Sequence, residues 1–177
     1  QMCIRDSLMG AGIAEPQDYQ SYYSATYTEG NLKITGVSDW SNGKSNFLVN
    51  SGKWYVEYRV TALHAVTHNR FGVYARPART YDEFFWLPNG SAQIDAADAS
   101  SKVGTYTTGD ILQVALDLEN NNIFFGKNNT WQNSATASEI AAGTSTNAFA
   151  SGSQVPTGDG SVSNTHLRAH ETLSYLV

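Results

Sequence analysis

The sequence predicts an all-β protein folded as one antiparallel β-sandwich. The clearest sign is residues 109–132, GDILQVALDLENNNIFFGKNNTWQ, where apolar side chains recur with the period of two of a strand that buries one face. No long stretch has helical periodicity, while Thr, Tyr, Val, Ser and Asn are plentiful. At 177 residues, of which 41% are hydrophobic, the chain is long enough to bury one core, so we expect a single domain.

Short strand candidates follow one another along the middle of the chain. In order they are residues 31–37, 45–49, 53–63, 71–75, 84–87, 92–94, 111–118 and a run that begins at residue 123. The longest candidate has one apolar face, made by Trp54, Val56, Tyr58 and Val60. Pro88-Asn89-Gly90 predicts a hairpin turn. About eight strands at this spacing are typical of a sandwich.

The last two candidates form a predicted hairpin with asparagine turns. Residues 120–122 are three asparagines, and asparagine tolerates left-handed backbone angles and can bond its own backbone. A second asparagine turn, at residues 128–129, precedes Trp131. We interpret Trp54 and Trp131 as core residues.

Four segments, in this order and separation, resemble a known family. They are EGNLKITG (residues 29–36), SGKWYVEYRV (51–60), FGVYARP (71–77) and the hairpin of residues 109–132. Together they resemble the SPRY (B30.2-like) family, particularly its members in tail-associated and other virion proteins of marine bacteriophages. The resemblance covers residues 28–134. It implies a concanavalin-A-like antiparallel β-sandwich (jelly roll) that acts as a binding module without a catalytic centre or a cofactor.

The two ends of the sequence differ in residue pattern from the middle. Residues 1–7 (QMCIRDS) and 165–177 (THLRAHETLSYLV) resemble translated sequencing-adapter read-through in assembled environmental DNA. The alternative for the second segment is a natural C-terminal helix with Thr165 as its N-cap. The predicted division is an adapter-like segment (1–7), a polar lead-in (8–27), the sandwich (28–134), a Gly/Ser/Thr-rich loop or incomplete end of the domain (135–161) and an adapter-like segment (162–177).

Members of the family usually continue beyond the hairpin into further hydrophobic strands. Here residues 135–161 offer few large apolar side chains, namely Ile140, Phe149 and Val155. We therefore expect a truncated copy of the domain that is missing its last one or two strands.

Charge and composition argue against several classes of function. The net charge is −5, and the Lys and Arg residues are scattered singly, so nucleic acid is not an expected partner. No apolar run approaches the roughly 18–20 residues of a membrane-spanning helix, and we expect no membrane insertion. Cys3 is the single cysteine, which excludes an internal disulfide.

Three sets of side chains suggest chemistry only weakly. His64 and His68 have a zinc-like HxxxH spacing, but they lie where a strand enters a loop, and we interpret them as loop residues. Asp117 and Glu119 point the same way along a strand, as paired glycosidase carboxylates do, yet they more simply end a strand. Scattered acids lack a calcium-loop spacing, so we predict no metal site: Asp95, Asp98, Asp117, Glu119 and Asp159.

The loop RPARTYDEFFW, residues 76–86, is the predicted ligand-binding segment. Its side chains of types enriched at binding interfaces are Arg76, Arg79, Tyr81, Phe85 and Trp86. The family resemblance also implies that ligands meet loops at one rim of the sandwich. In the alternative interpretation, Phe84 and Trp86 face the core and the arginines pair with Asp82 and Glu83.

The leading hypothesis is a non-enzymatic binding module of a phage tail or other virion protein. Its rim loops would hold a host-surface protein or glycan, or a neighbouring subunit, and the full-length parent could be a homo-oligomer. One alternative is a carbohydrate-binding or glycan-cleaving domain of the concanavalin type. The other is a purely structural, self-assembling β-domain.

Overall fold

A computed structural model describes the strands of the sandwich and most of their connections. The described residues are 25–28, 33–36, 48–63, 69–75, 83–94, 97–155, 161–164 and 172–174. Cys3, His64 and His68 lie outside them. Within these ranges, no helix has the length and apolar character needed to cross a membrane.

Among the described residues, the paired strands are antiparallel and belong to two sheets. The first sheet, in spatial order, contains β1 (Ala25–Thr28), β2 (Lys33–Gly36), β14 (Thr172–Ser174), β4 (Lys53–Ala62), β9 (Ile111–Asp117), β10 (Asn122–Lys127) and β11 (Thr130–Trp131), and β12 (Ala150–Ser151) also pairs with β10. The second sheet contains β3 (Leu48–Val49), β13 (Ser161–Asn164), β5 (Phe71–Ala75), β6 (Glu83–Trp86), β7 (Ala92–Ile94) and β8 (Ala97–Asp98). The predicted antiparallel β-sandwich is confirmed.

The main core lies between the two sheets. Alternation along β9 directs Leu112, Val114 and Leu116 into it, as the sequence predicts. Aromatic rings join the layers: Phe125 of the first sheet lies 5.8 Å from Phe71 and 6.1 Å from Trp86 of the second, between ring centroids. These contacts bury large apolar areas, which is the main source of the sandwich's stability.

The predicted β9–β10 hairpin forms with its asparagine turn. Asp117 faces Asn122 across the two strands, and Asn121 has a left-handed φ of 54°. The Asp117 carboxylate accepts hydrogen bonds from the backbone N–H groups of Glu119 and Asn120, which closes the turn. The carboxylate thus acts within the hairpin.

Residues 135–155 differ from the predicted loop. They contain helix α1 (Ala137–Ala142), whose N-terminus has a capping box between Thr136 and Glu139. Phe149 is only 2% exposed, and its ring lies 4.4 Å from that of Phe125. A few well-placed apolar side chains therefore attach this polar segment to the core.

The structure also differs from expectation near both ends. β1 lies in the predicted lead-in, and β8 was not expected. β13 pairs with β3 and β5, while β14 pairs with β2 and β4, so the segment after residue 160 contributes strands to both sheets. Backbone pairing makes few demands on side chains, which explains why hydrophobic patterning did not reveal these strands. The read-through origin of residues 162–177 stays a prediction.

Candidate functional site

Trp86, at the end of the predicted ligand-binding loop, belongs to the core. The residue is fully buried, and its indole N–H donates a 2.6 Å hydrogen bond to the carbonyl oxygen of Gly104. Tyr106 contacts the indole edge-on at 5.2 Å. Phe84 is equally buried. Both side chains face the core, as the alternative interpretation of the loop expects, and Trp86 cannot itself contact a ligand from this position.

Phe85 lies on the opposite, outer face of the second sheet, beneath an arginine. The guanidinium carbon of Arg70 is 4.0 Å from the Phe85 ring centroid, and Arg70 also forms a 3.6 Å ion pair with Glu83. Burial lowers the pKa of Arg70 and Glu83 opposes that shift; a guanidinium stays charged in either case. We call Arg70, Glu83 and Phe85 the loop clamp, because the Arg70 side chain extends from the residue before β5 to Phe85 and to Glu83, the first residue of β6 after the segment of residues 76–82.

A glycine lets the backbones of β5 and β6 approach closely beside Phe85. Gly72 pairs with Phe85 across the two strands, and a Cβ atom at Gly72 would lie 1.8 Å from the carbonyl oxygen of Phe84. Only glycine fits at this approach. Arg76, Arg79 and Tyr81 lie outside the described residues, so their contact with a ligand stays a prediction.

The outer face of the first sheet carries three rows of side chains, each aligned across strands β4, β9 and β10. One row consists of Lys53, Asp117 and Asn122. The next consists of Tyr55, Ala115 and Phe124. The third consists of Glu57, Gln113 and Gly126, and continues into Trp131 of β11.

Residues around α1 cover the first two of these rows. The ammonium group of Lys53 donates to the carbonyl oxygen of Ala141 at 3.2 Å, and the Asn122 amide donates to that of Gly143 at 3.0 Å. A second apolar cluster packs over the middle row, formed by Ala115, Phe124, Ala135, Ile140 and Ala148. Of the third row, Trp131 packs, partly buried, against the edge of this cluster.

Gln113 organises the third row. It is 3% exposed, and its side-chain amide donates to the Tyr55 hydroxyl oxygen (2.6 Å), Glu57 Oε1 (3.0 Å) and Asn129 Oδ1 (3.1 Å). Its own Oε1 accepts the backbone N–H of Asn129 at 2.8 Å. The Tyr55 hydroxyl also bonds to the Glu57 carboxylate. We call Tyr55, Glu57, Gln113, Asn129 and Trp131 the outer-face cluster.

Burial shifts the titration of one member of this cluster. Loss of solvation and the bond to Glu57 raise the pKa of the Tyr55 hydroxyl above its usual range, and the amide of Gln113 opposes the shift. The phenol therefore remains protonated at neutral pH and can keep donating to the carboxylate.

Trp131 ends the third row and packs against the second apolar cluster on the outer face rather than against the core between the sheets. It is partly exposed and lies on the outer face, with the Tyr55 ring 6.2 Å away at an interplanar angle of 70°. Its Cε3 atom lies 3.0 Å from the position that a Cβ of Gly126 would occupy. The two-residue turn of Asn128 and Asn129 pairs Gly126 with Trp131, so the length of this turn was the sequence signal for the face of Trp131.

The carboxylates considered for catalysis or calcium have structural roles where they are described. Asp117 is 2% exposed and pairs with Lys53 at 3.1 Å, whereas Glu119 is exposed. Asp98 accepts the backbone N–H of Ser100 at 2.9 Å. Within the described ranges, no three His, Cys, Asp or Glu side chains gather as a metal site would need. Asp95 and Asp159 lie outside those ranges.

Comparison with known proteins identifies the fold. No protein-family profile matches the sequence, and neither does any curated protein. Among solved structures, the crystal structure of the SPRY domain of human HERC1 is similar, with a TM-score of 0.62 and 16% sequence identity over 85% of this chain and 90% of that one. At this identity the likeness concerns the fold alone. The chain has the fold of a SPRY domain, a concanavalin-like β-sandwich.

Proposed function

We propose that the chain is a non-enzymatic binding module that contacts a partner protein through the loop of residues 76–82. The observation that carries the proposal is the loop clamp. Arg70 covers Phe85 and pairs with Glu83, so the strands at the base of the loop are fixed by a cation–π contact and an ion pair. A rigid base reduces the conformational entropy that the loop loses when it binds.

The composition of the loop indicates the chemistry of its partner. Arg76 and Arg79 carry planar guanidinium groups that recognise carboxylates through two parallel hydrogen bonds. Tyr81 adds a rigid aromatic side chain of the type that dominates binding energy at interfaces. We therefore expect a partner that presents acidic side chains beside an apolar contact.

The carboxylates of the described chain favour binding over catalysis. Asp117 and Asp98 close turns, and Glu139 belongs to the capping box of α1. Each of these three groups is engaged by local donors, and Asp117 also pairs with Lys53 of β4. A catalytic pair would instead converge on one open cleft.

The biological setting is the second part of the proposal. The resemblance of residues 28–134 to virion proteins of marine bacteriophages favours a place on a phage tail or other virion part. The partner is then a host-surface protein or a neighbouring subunit of a longer parent, which could be a homo-oligomer. Sequencing the source DNA across both ends of this frame should show tail or capsid genes alongside it, and glycan-degrading neighbours would contradict this setting.

A peptide selection tests the binding function. A random dodecapeptide library is selected against the full chain, and the affinity of the recovered peptide is measured by calorimetry. We expect acidic peptides, and at least tenfold weaker binding by the double variant Arg79→Ala/Tyr81→Ala, with the melting temperature unchanged. Arg59→Ala, an exposed arginine on the other sheet, is the matched control and should bind normally. Retained affinity in the double variant would refute the loop assignment.

A further inference from the structure

The outer-face cluster has features of a ligand site that the proposed protein-binding loop does not use. It lies on the first sheet, whereas the loop clamp lies on the second. We propose that this cluster binds the sugar ring of a neutral oligosaccharide, with Trp131 as the stacking surface and Glu57 and Asn129 as the hydrogen-bonding groups. This site is independent of the protein partner proposed above.

Two neighbours, Gly126 and Tyr55, fix the position of the Trp131 indole, as a surface for sugar stacking requires. Gly126 has no side chain, and its Cα lets the six-membered ring of Trp131 approach the strand closely. Tyr55 supports the indole in an edge-to-face contact. The C–H groups on one face of a pyranose carry partial positive charge, which the negative face of an aromatic ring attracts. A fixed, partly exposed indole therefore suits a sugar ring.

The polar groups beside the indole are preorganised for ligand binding. Gln113, itself almost fully buried, holds Glu57 on one side and Asn129 on the other. Glu57 uses Oε1 for these bonds, and its Oε2 makes no hydrogen bond to the residues that the structure describes. The carboxylate can thus accept a hydroxyl group, while the exposed Asn129 amide can donate. Groups fixed by a buried network lose little entropy when a ligand arrives.

Local charge favours a neutral polyhydroxyl ligand. Arg59 follows Glu57 by two residues on the same face and is exposed, so a cationic ligand attracted by the carboxylate would meet a guanidinium group. An anionic ligand would meet Glu57. Sugar hydroxyls both donate and accept hydrogen bonds, so they satisfy a carboxylate, a guanidinium and an amide together.

The proposal is tested with the full chain and four soluble neutral oligosaccharides: cellohexaose, laminarihexaose, mannohexaose and chitohexaose. Saturation-transfer NMR detects binding, and titration of the tryptophan fluorescence gives the affinity. We expect at least one oligosaccharide to bind at millimolar concentration or below. Trp131→Ala should abolish that binding, and Glu57→Gln should weaken it about tenfold, the loss expected for one hydrogen bond to a charged group.

Controls separate a local effect from unfolding. Glu119→Gln makes the same chemical change at an exposed carboxylate outside the outer-face cluster, and should bind like the unmodified chain. If Trp131→Ala lowers the melting temperature markedly, the affinity of the Glu57→Gln variant alone decides whether the outer-face cluster binds the sugar. This substitution preserves the size of the side chain. Absence of binding to all four sugars, or unchanged binding by Glu57→Gln, would overturn the proposal. Neither result bears on the peptide affinity of the loop variants, which tests the proposed function separately.

Discussion

At the scale of single residues, the face of the sheet on which a side chain lies decides its role. Val114 and Leu116 lie in the core as the alternation of β9 predicts. Trp131 lies on the outer face because the two-residue turn before it pairs it with Gly126, on the face opposite to Phe125. Gln113 was part of the predicted strand, but its partners come from β4 and a distant turn, which no local pattern reveals.

Asp117 provides a prediction at this scale. Burial raises its pKa, but hydrogen bonds from Asn120 and the ammonium group of Lys53 outweigh burial, so the pKa lies below its usual value. The stabilisation is therefore fully present above about pH 4, where the unfolded carboxyl is ionised, and is lost as the pH falls through the folded pKa. Asp117→Asn should cost about 1–3 kcal/mol at pH 7 and flatten the acid limb of the stability profile, measured by urea denaturation.

The matched control for this change is Glu119→Gln, at the exposed carboxylate two residues away. Its free energy of unfolding at pH 7 should stay within about 0.5 kcal/mol of the unmodified value. An Asp117→Asn variant that keeps full stability at pH 7 would show that the turn does not depend on the carboxylate.

At the scale of elements, those whose contacts are local in sequence could be predicted, and those positioned by contacts distant in sequence could not. The β9–β10 hairpin was predictable because alternation and an asparagine turn occur together within residues 109–132. The sequence of residues 135–155 predicted a polar loop, because large apolar side chains are sparse there. Their position is fixed by contacts with β10 and with the outer face of the sheet, which are distant in sequence.

Phe149 should account for much of the attachment of residues 135–155. Replacing it by alanine removes the ring that packs on Phe125 and leaves a cavity between the sheets. We expect Phe149→Ala to lower the free energy of unfolding by about 3–5 kcal/mol in chemical denaturation. Ser153→Ala, at an exposed position of the same segment, should change it by less than about 0.5 kcal/mol. A small effect of Phe149→Ala would mean that this segment packs elsewhere.

At the scale of the whole molecule, the sandwich depends on strands that the sequence did not indicate. β14 lies between β2 and β4, and therefore links the β1–β2 pair to the rest of the first sheet. β13 similarly lies between β3 and β5 in the second sheet. Resemblance and periodicity were sufficient to predict the fold class, but strand order depends on pairing between segments that are far apart in sequence, such as Ser161 with Ala75 and Thr172 with Thr35.

Shortening the chain tests this role. A chain that ends after Val155 lacks β13 and β14, so β1 and β2 lose their pairing with the first sheet. In hydrogen-exchange mass spectrometry we expect the amides of residues 25–28 and 33–36 to lose protection, while those of β9 and β10 retain theirs. Unchanged protection of residues 25–36 would show that the last segment is dispensable, as its interpretation as read-through implies.

The central claim, a binding module that works through the loop on the clamped β5–β6 hairpin, is tested most directly by mapping a bound peptide. Isotope-labelled full chain is titrated with the selected acidic peptide, and the backbone amide shifts are followed by NMR. We expect the largest shift changes in residues 76–82, with smaller ones at Arg70 and Glu83. Largest changes on the first sheet, with the loop signals unmoved, would contradict it.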